Sequence, residues 1–327
     1  MLNGKSLKRV KRVNRGRRQA LAGLGAVAFA ASASAAVAAA VSSVASAAST
    51  PAAPTMSPVL PRNARIVVLD WGLIEVVLSL DVVPVGVSRP VWYTRLDGNP
   101  PLPATVVDTG LLFQPNFEVL EALKPDLIVV TPWHAPLRGL LERVAPTFTV
   151  TMFGPGLDIY STVRTATRQL AAKLGRDAEA EALLQRTDQQ IATAAQAIAT
   201  TRDVHRPLYL LRPLDGRHVA VAGPHSLFGG VMGELGLVNA WQGSTDPLGM
   251  GETDLAALAQ HADSQVVLSG TPPGVLAELS RSPLWRSLPF VAQHRVRQIG
   301  MFPTAGGLVA ATRFATALAQ ALQGVSS

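Results

Sequence analysis

The sequence contains no cysteine and few aromatic residues. The absence of cysteine excludes disulfide bonds, thiolate metal sites and a lipid-modified N-terminal cysteine. Because Phe, Trp and Tyr make up only 5% of the 327 residues, each of the five tryptophans is a candidate for a specific packing or binding role. The six histidines never stand four residues apart, so no helical histidine pair for a metal is present. The sequence therefore predicts no resident metal site.

Residues 1–48 also lack acidic side chains, and they divide into a basic part and an apolar part. Eight Lys or Arg lie within residues 5–18, and residues 19–48 are uncharged and rich in alanine. This order is typical of an export signal. The pair Arg17–Arg18 resembles a twin-arginine motif, and small residues favour cleavage after Ala47. The alternative is a membrane anchor, since the apolar run is long enough to span a bilayer, although alanine and serine are only weakly apolar.

The positive charge of the chain comes from this leader. The whole sequence has 29 Lys and Arg against 22 Asp and Glu, a net charge of +7. Removing the eight leader bases leaves 21 bases against 22 acids, with no basic run. No nucleic-acid partner is therefore expected.

Two halves with similar patterns flank a long helical segment. After a linker over residues 48–61, short apolar runs alternate with helical patterns in residues 62–155, which is typical of parallel βαβ units. The alternation of strand and helix patterns resumes in residues 204–327. Residues 158–201 contain no proline and only one glycine, which predicts one long helix or two stacked helices. The predicted fold is α/β, with two Rossmann-like lobes joined by a rigid interlobe helix (residues 156–203) and a ligand cleft between them.

Several local signals concern helix starts. Asn116 is expected to cap a helix, and helices are also predicted over Leu137–Val144 and Thr253–Gln260. Ser226 lies in GPHSLFG, which resembles a serine nucleophile turn but has Pro224 where that turn needs glycine. Ser226 is therefore interpreted as a helix N-cap, and no hydrolase nucleophile is recognised.

The chemistry-bearing candidates are large side chains beside predicted loops. Trp71 follows the first predicted strand, at the edge where parallel sheets bind ligands, and Trp133 and His134 follow a later strand in the equivalent position. Trp241 follows the end of a predicted helix. Each tryptophan is either a packing residue of its lobe or a ligand contact, and His134 is either a ligand contact or an exposed loop residue.

These motifs resemble the periplasmic ferric hydroxamate siderophore-binding proteins of bacterial ABC importers. The resemblance is carried by RIVVLDW (65–71), the PPLP segment (100–130), GPHSLFGGVMGELGLVNAWQG (223–243) and SPLWRSLPFV (282–291). It implies a class III substrate-binding protein, a soluble periplasmic monomer that delivers a ferric siderophore to an inner-membrane ABC permease. It also implies that the chain is not an enzyme and has no cofactor, because iron arrives already coordinated.

The resemblance transfers the ligand contacts unevenly. Trp71 and Trp241 match aromatic pocket positions, but the hydroxamate-binding Arg of the family falls at Leu112 and its partner Tyr at His134. The ligand-binding residues predicted in this way are Trp71, Tyr93, Leu96, Leu112, Trp133, His134, Trp241, Leu248 and Phe302.

Replacing Arg by Leu at position 112 removes five fixed hydrogen-bond donors. Either another base supplies the charge, with Arg95, Arg138 and Arg212 as candidates, or the cargo is a different chelate. Two alternatives stay open at this point: haem or a corrinoid with His134 as an axial ligand, and an exported hydrolase.

Permease docking in this family uses acids at the lobe tips. Glu142 in the first half, and Glu252 or Asp254 in the second, lie near the matching positions. The family acid of the first lobe itself aligns with Gly139.

Overall fold

The computed structural model of the protein describes residues 59–96, 98–201 and 203–324. The predicted export leader, its cleavage site and most of the predicted linker lie outside these residues. All described residues belong to one structural unit, residues 56–327. Among the described helices, none combines the length and the apolar character needed to cross a bilayer.

The first half is a parallel α/β sandwich, as its sequence pattern predicts. Its described strands are β1 (Ile66–Val68), β2 (Gly86–Val87), β3 (Val107–Asp108), β4 (Gly110–Leu111), β5 (Gln114–Pro115), β6 (Leu127–Val130) and β7 (Thr147–Thr149). Its described helices are α1 (Trp71–Ser79), α2 (Pro90–Leu96), α3 (Phe117–Leu123), a 3-10 helix (Pro132–Leu137) and α4 (Arg138–Leu141). The sheet has the order β3-β2-β1-β6-β7 with parallel pairing throughout, and β4 pairs with β5 as a small hairpin.

Local sequence explains where these elements begin. All three residues of β1 are apolar and at most 1% exposed, as expected for a parallel strand covered on both faces. The Asp70 carboxylate accepts hydrogen bonds from the backbone N–H groups of Gly72 and Leu73, so α1 starts directly after the strand. Asn116 caps α3 through the Val119 N–H group, as predicted.

The helical connection consists of two helices, the second of the two predicted possibilities. Helix α5 spans Ile159–Leu174 and α6 spans Asp177–Ile198. Gly175 separates them with a backbone φ of 64°, a left-handed conformation that glycine adopts without a steric penalty. At 1.5 Å per residue, the 22 residues of α6 extend over about 33 Å.

The second half has a mixed sheet. Its described strands are β8 (Leu208–Pro213), β9 (His218–Ala222), β10 (Met250–Asp254), β11 (Gln265–Ser269) and β12 (Val296–Ile299). Its described helices are α7 (Leu227–Glu234), a 3-10 helix (Ala257–His261), α8 (Pro273–Arg281), α9 (Pro283–Ser287), α10 (Pro289–Ala292) and α11 (Leu308–Gln323). The order is β10-β9-β8-β11-β12, with β9 antiparallel to both neighbours and the other pairs parallel. The predicted N-cap role of Ser226 is confirmed, since its hydroxyl accepts the Gly229 N–H group at 2.9 Å.

Two helix predictions are wrong in their extent. The segment predicted as a helix over Thr253–Gln260 begins as strand β10, because it pairs with β9, and only Ala257–His261 turns into a 3-10 helix. The Asp254 carboxylate accepts the Ala257 N–H group and starts that turn. The helix predicted over Leu137–Val144 is limited to the four residues of α4.

One hydrophobic core joins the two halves. It includes Ile66 from β1, Leu184 from α6, Leu208 from β8 and Phe314 from α11, each at most 1% exposed. Helix α11 follows the last strand of the second half and packs along α6 and against α1. The predicted α/β architecture of two sheets joined by helices is therefore confirmed, and the two halves are packed on one another through a shared core.

Candidate functional site

A cavity of about 240 Å³ is lined by residues from both halves. This volume is below the roughly 300–1,000 Å³ typical of pockets for drug-sized ligands, so a ligand of that size would extend beyond its mouth. The residues that line it are Asp70, Trp71, Gly72, Glu75, Tyr93, Leu96, Asn99, Leu112, Trp133, Phe153, Arg212, Leu248 and the segment 301–306. Seven of the nine residues predicted to bind ligand are among them: Trp71, Tyr93, Leu96, Leu112, Trp133, Leu248 and Phe302.

Trp71 occupies the first position of α1, which Leu69 and Asp70 connect to β1. Its indole Nε1 donates to the Ser88 carbonyl oxygen at 3.0 Å, and its ring stacks on Trp92 with centroids 6.4 Å apart. The neighbouring Tyr93 is 4% exposed and donates its hydroxyl to the Pro100 carbonyl oxygen at 2.7 Å. These contacts fix the orientation of both rings in the cavity wall.

Trp133 and Phe153 supply another aromatic part of the cavity lining. Their ring centroids lie 4.4 Å apart, and Trp133 is 45% exposed. From the second half, Phe302 reaches the same cavity and packs against Phe314 with centroids 5.9 Å apart. Both halves therefore contribute large apolar side chains to one wall.

His134 does not line the cavity, although its position in the sequence predicts either a ligand contact or an exposed residue. It is 1% exposed because the 3-10 helix folds it back beneath Thr131, whose hydroxyl lies 3.1 Å from its Nδ1 atom. Its ring also packs against Phe113, with centroids 5.3 Å apart. A buried imidazole held in this way is not available as an axial ligand to haem or a corrinoid.

Trp241 is also not among the residues that line the cavity. Its Nε1 donates to the Ser244 carbonyl oxygen at 3.3 Å, and its indole packs against Gly251 and the core of the second half. Of the two roles weighed for this tryptophan, packing within its lobe is therefore the one that fits.

Arg212 is the cationic side chain of the cavity. It comes from β8, is partly exposed, and has no hydrogen-bond or ion-pair partner among the described residues. The other two candidate bases are engaged elsewhere: the Arg95 guanidinium lies 5.5 Å from the Trp92 ring centroid, and Arg138 pairs with Glu142 at 2.7 Å. Arg212 is thus the base best placed to meet an anionic oxygen.

Two buried acids line the cavity, and the sequence analysis missed both. Asp70 caps α1, and burial raises the pKa of its carboxyl group although the capped amides and nearby His134 act in the opposite direction. Glu75 is 2% exposed, and burial raises its pKa to about 7 despite three hydrogen bonds from backbone N–H groups. The signal that could have revealed Glu75 is its position as a lone acid in the apolar stretch WGLIEVVLSL.

The chemistry of the cavity suits capture of a preformed ligand. Its wall is aromatic and aliphatic, and its charged side chains are one guanidinium and two carboxyl groups. Among the described residues, no three His, Cys, Asp or Glu side chains come close enough together to hold a metal ion.

The acids predicted to dock a permease lie on the surface of both halves. Glu142 accepts from Arg138 and from the Thr147 hydroxyl, and these bonds lower the pKa of its carboxyl group. Glu252 and Asp254 lie on β10, at the edge of the second sheet. Glu252 is exposed, whereas Asp254 is partly buried by its turn.

Comparison with known proteins agrees with this fold. The family model of the periplasmic binding proteins matches residues 66–301. The chain is 31% identical over 261 residues to the iron(3+)-hydroxamate-binding protein FhuD of Escherichia coli, covering 80% of this chain and 87% of that protein. It is 26% identical over 188 residues to the Fe(3+) dicitrate-binding periplasmic protein FecB of the same organism, covering 53% of this chain and 61% of that protein.

A similar solved structure is that of the siderophore-binding protein FhuD from Vibrio cholerae bound to Fe3+-Desferal. It superposes with a TM-score of 0.73 at 27% identity, covering 81% of this chain and 99% of that one. The resemblance inferred from the sequence motifs is thereby confirmed, including the class III fold. These matches identify a substrate-binding protein and not an enzyme, and the chain belongs to the periplasmic binding protein family.

Proposed function

We propose that this protein is the periplasmic component of an ABC importer and that its cargo is a ferric siderophore of the trihydroxamate type. The observation that carries the proposal is the cavity itself: seven predicted ligand-lining residues converge on it from segments of both halves. The E. coli relative named above supports the cargo class.

The apolar side chains and Arg212 would contact different parts of the ligand. A ferric trihydroxamate has a neutral metal centre within an organic shell, and its shell would bury apolar surface against Trp71, Trp133 and Phe302. Arg212 would donate to a hydroxamate oxygen, which replaces the donor lost at Leu112. Iron would remain coordinated by the siderophore throughout.

Net charge favours the trihydroxamates over tris-catecholates. A ferric tris-catecholate is triply anionic, whereas the cavity offers one guanidinium beside Asp70 and Glu75. Placing an anion beside two buried acids is unfavourable in a medium of low dielectric constant. We therefore expect weak binding of tris-catecholates.

The proposal is tested by titrating the purified protein with ferrichrome, ferrioxamine B, a ferric tris-catecholate and haem while recording tryptophan fluorescence. Quenching by the two trihydroxamates at the lowest concentrations is expected, because Trp71 and Trp133 line the cavity. Tighter binding of the catecholate or of haem would contradict the proposed cargo.

Arg212→Met tests the proposed anchor. The affinity for ferrichrome should fall by about 10- to 100-fold, which corresponds to roughly 1.5–3 kcal/mol for a hydrogen bond to a charged group. Arg281→Met, at an exposed position of α8, removes the same charge far from the cavity and serves as the matched control. Equal affinities of the two variants would refute the role of Arg212.

The proposal also covers export, the oligomeric state and contact with the permease. Residues 1–47 would direct export through the twin-arginine route, and the mature protein would act as a monomer. Glu142 and Glu252 or Asp254 would contact basic residues of the permease. Charge reversal of Glu142 with Glu252 should abolish uptake in cells while ferrichrome binding by the purified protein is retained.

A further inference from the structure

The buried carboxyl group of Glu75 joins distant parts of the chain beneath the cavity. Its Oε2 atom accepts the Gly307 N–H group at 2.7 Å, and its Oε1 atom accepts those of Val309 and Ala310 at 2.8 and 3.1 Å. These groups belong to the start of α11, where backbone N–H groups have no partner within the helix. Glu75 therefore supplies from α1 the cap that α11 does not carry itself.

The segment held by this contact is also a wall of the cavity. Residues 301–306 leave β12 of the second sheet, line the cavity, and lead into α11. They approach α1 so closely that a Cβ atom at Gly72 would overlap the Ala305 carbonyl oxygen. A Cβ atom at Gly307 would lie 2.8 Å from Oε1 of Glu75. The position of Phe302 in the cavity thus depends on a contact made by the first half.

The charged and titratable groups around Glu75 come from several elements. Arg313 on α11 favours the charged carboxylate. Burial, and to a smaller extent the ionised carboxylate of Glu75, raise the pKa of Tyr93 on α2. Asp70, at the start of α1, and Arg212, from β8, line the same cavity. Burial outweighs the favourable contacts, so Glu75 titrates near neutral pH instead of near 4.5.

We propose that Glu75 is a positioning residue for the bound ligand and that occupation of the cavity is linked to protonation of its carboxyl group. Glu75 lines the cavity, so an uncharged chelate that fills the cavity replaces solvent near this group with apolar atoms, which disfavours the charged form. Binding of such a ligand therefore takes up a proton, and by linkage the affinity falls as the pH rises through neutrality. This inference rests on the proposed function for the identity of the ligand.

The first experiment measures the Kd of the whole mature protein for ferrichrome between pH 5.5 and 8.5 by tryptophan quenching. The wild type should bind several-fold more weakly at pH 8.5 than at pH 5.5, since each pKa unit of linkage corresponds to a tenfold change. Glu75→Gln, which imitates the protonated carboxyl group, should show no such slope. Glu121→Gln, at an exposed position of α3, should follow the wild type. A slope in Glu75→Gln equal to that of the wild type would overturn the inference.

The second experiment needs no ligand and separates this inference from the proposed function. Hydrogen exchange at the amides of Gly307, Val309 and Ala310 is compared at one pH between the wild type, Glu75→Gln and Glu75→Ala. Faster exchange in Glu75→Ala is expected at these amides and not at those of α8, with Glu75→Gln intermediate. Unchanged exchange would overturn the positioning role even if ferrichrome binds, whereas a failure of every chelate to bind would overturn the proposed cargo. If Glu75→Ala does not fold, the isosteric Glu75→Gln decides the outcome through the same amides.

Discussion

The titration of Glu75 predicts an unusual dependence of stability on pH. Its carboxyl group is buried in the folded protein, where its pKa is raised from 4.5 to about 7, and it returns to water on unfolding. Between these two values the folded state holds the proton and the unfolded state does not. The free energy of unfolding therefore falls as the pH rises from about 4.5 to about 7, which is opposite to the effect of a carboxylate stabilised by an ion pair.

The magnitude follows from the size of the shift. A shift of one pKa unit corresponds to 1.36 kcal/mol, so the change from 4.5 to about 7 amounts to about 3 kcal/mol. Other acids also contribute to the pH dependence: burial raises the pKa of Asp70, whereas hydrogen bonds lower that of Asp215 to about 2. These contributions are common to the wild type and to a Glu75→Gln variant, so they cancel in the difference between the two.

The assay is urea denaturation of both proteins at half-unit steps from pH 4.5 to 8, followed by circular dichroism. The free energy of unfolding of the wild type, measured relative to Glu75→Gln, should fall by about 3 kcal/mol across this range. Glu121→Gln should run parallel to the wild type. A difference that stays constant to within about 0.5 kcal/mol, the size of an ordinary surface effect, would refute the assignment of a neutral-range pKa to Glu75.

Three further predictions concern the cavity. Gly72→Ala should destabilise the protein by about 1–3 kcal/mol in denaturant, because its Cβ atom overlaps the Ala305 carbonyl oxygen, whereas Gly274→Ala, with no neighbour near its Cβ position, should have little effect. Equal stabilities of these two variants would show that residues 301–306 can shift away from α1 without a loss of stability. Leu112→Arg should tighten ferrichrome binding by about tenfold through a new guanidinium in the wall, and weaker binding in the titration would count against the placement of the ligand. Trp71→Phe should reduce the amplitude of fluorescence quenching by the ligand, because Trp71 lines the cavity. An undiminished amplitude would contradict binding of the ligand next to α1.

The sequence predicts the sheets and helices well where local signals are strong. The uninterrupted apolar run at β1 and the caps at Asn116 and Ser226 depend on neighbouring residues alone, so each is visible in a short window. The segment from Thr253 fails because its strand character comes from pairing with β9, a partner that no local pattern reveals. Propensity alone likewise leaves open whether Gly175 interrupts the helical connection.

The candidate site is predictable only in part, for the same reason. Trp71 and Trp133 follow strand ends, and strand ends at one edge of a parallel sheet meet in space. His134 is adjacent to Trp133, yet a 3-10 helix turns it into the interior, and the direction of a single side chain in such a turn is not encoded by its place after a strand. Glu75 finds its partners 232 to 235 positions later, so its role requires the tertiary structure.

The long sequence separation between Glu75 and its hydrogen-bond partners affects when the contact can form during synthesis. Translation must pass position 310 before the backbone N–H groups of Gly307, Val309 and Ala310 can all reach the carboxyl group of Glu75. A shorter nascent chain consequently lacks the contact that holds residues 301–306 beside α1. The cavity wall should therefore assemble only after synthesis of both segments, and not progressively as the first half emerges.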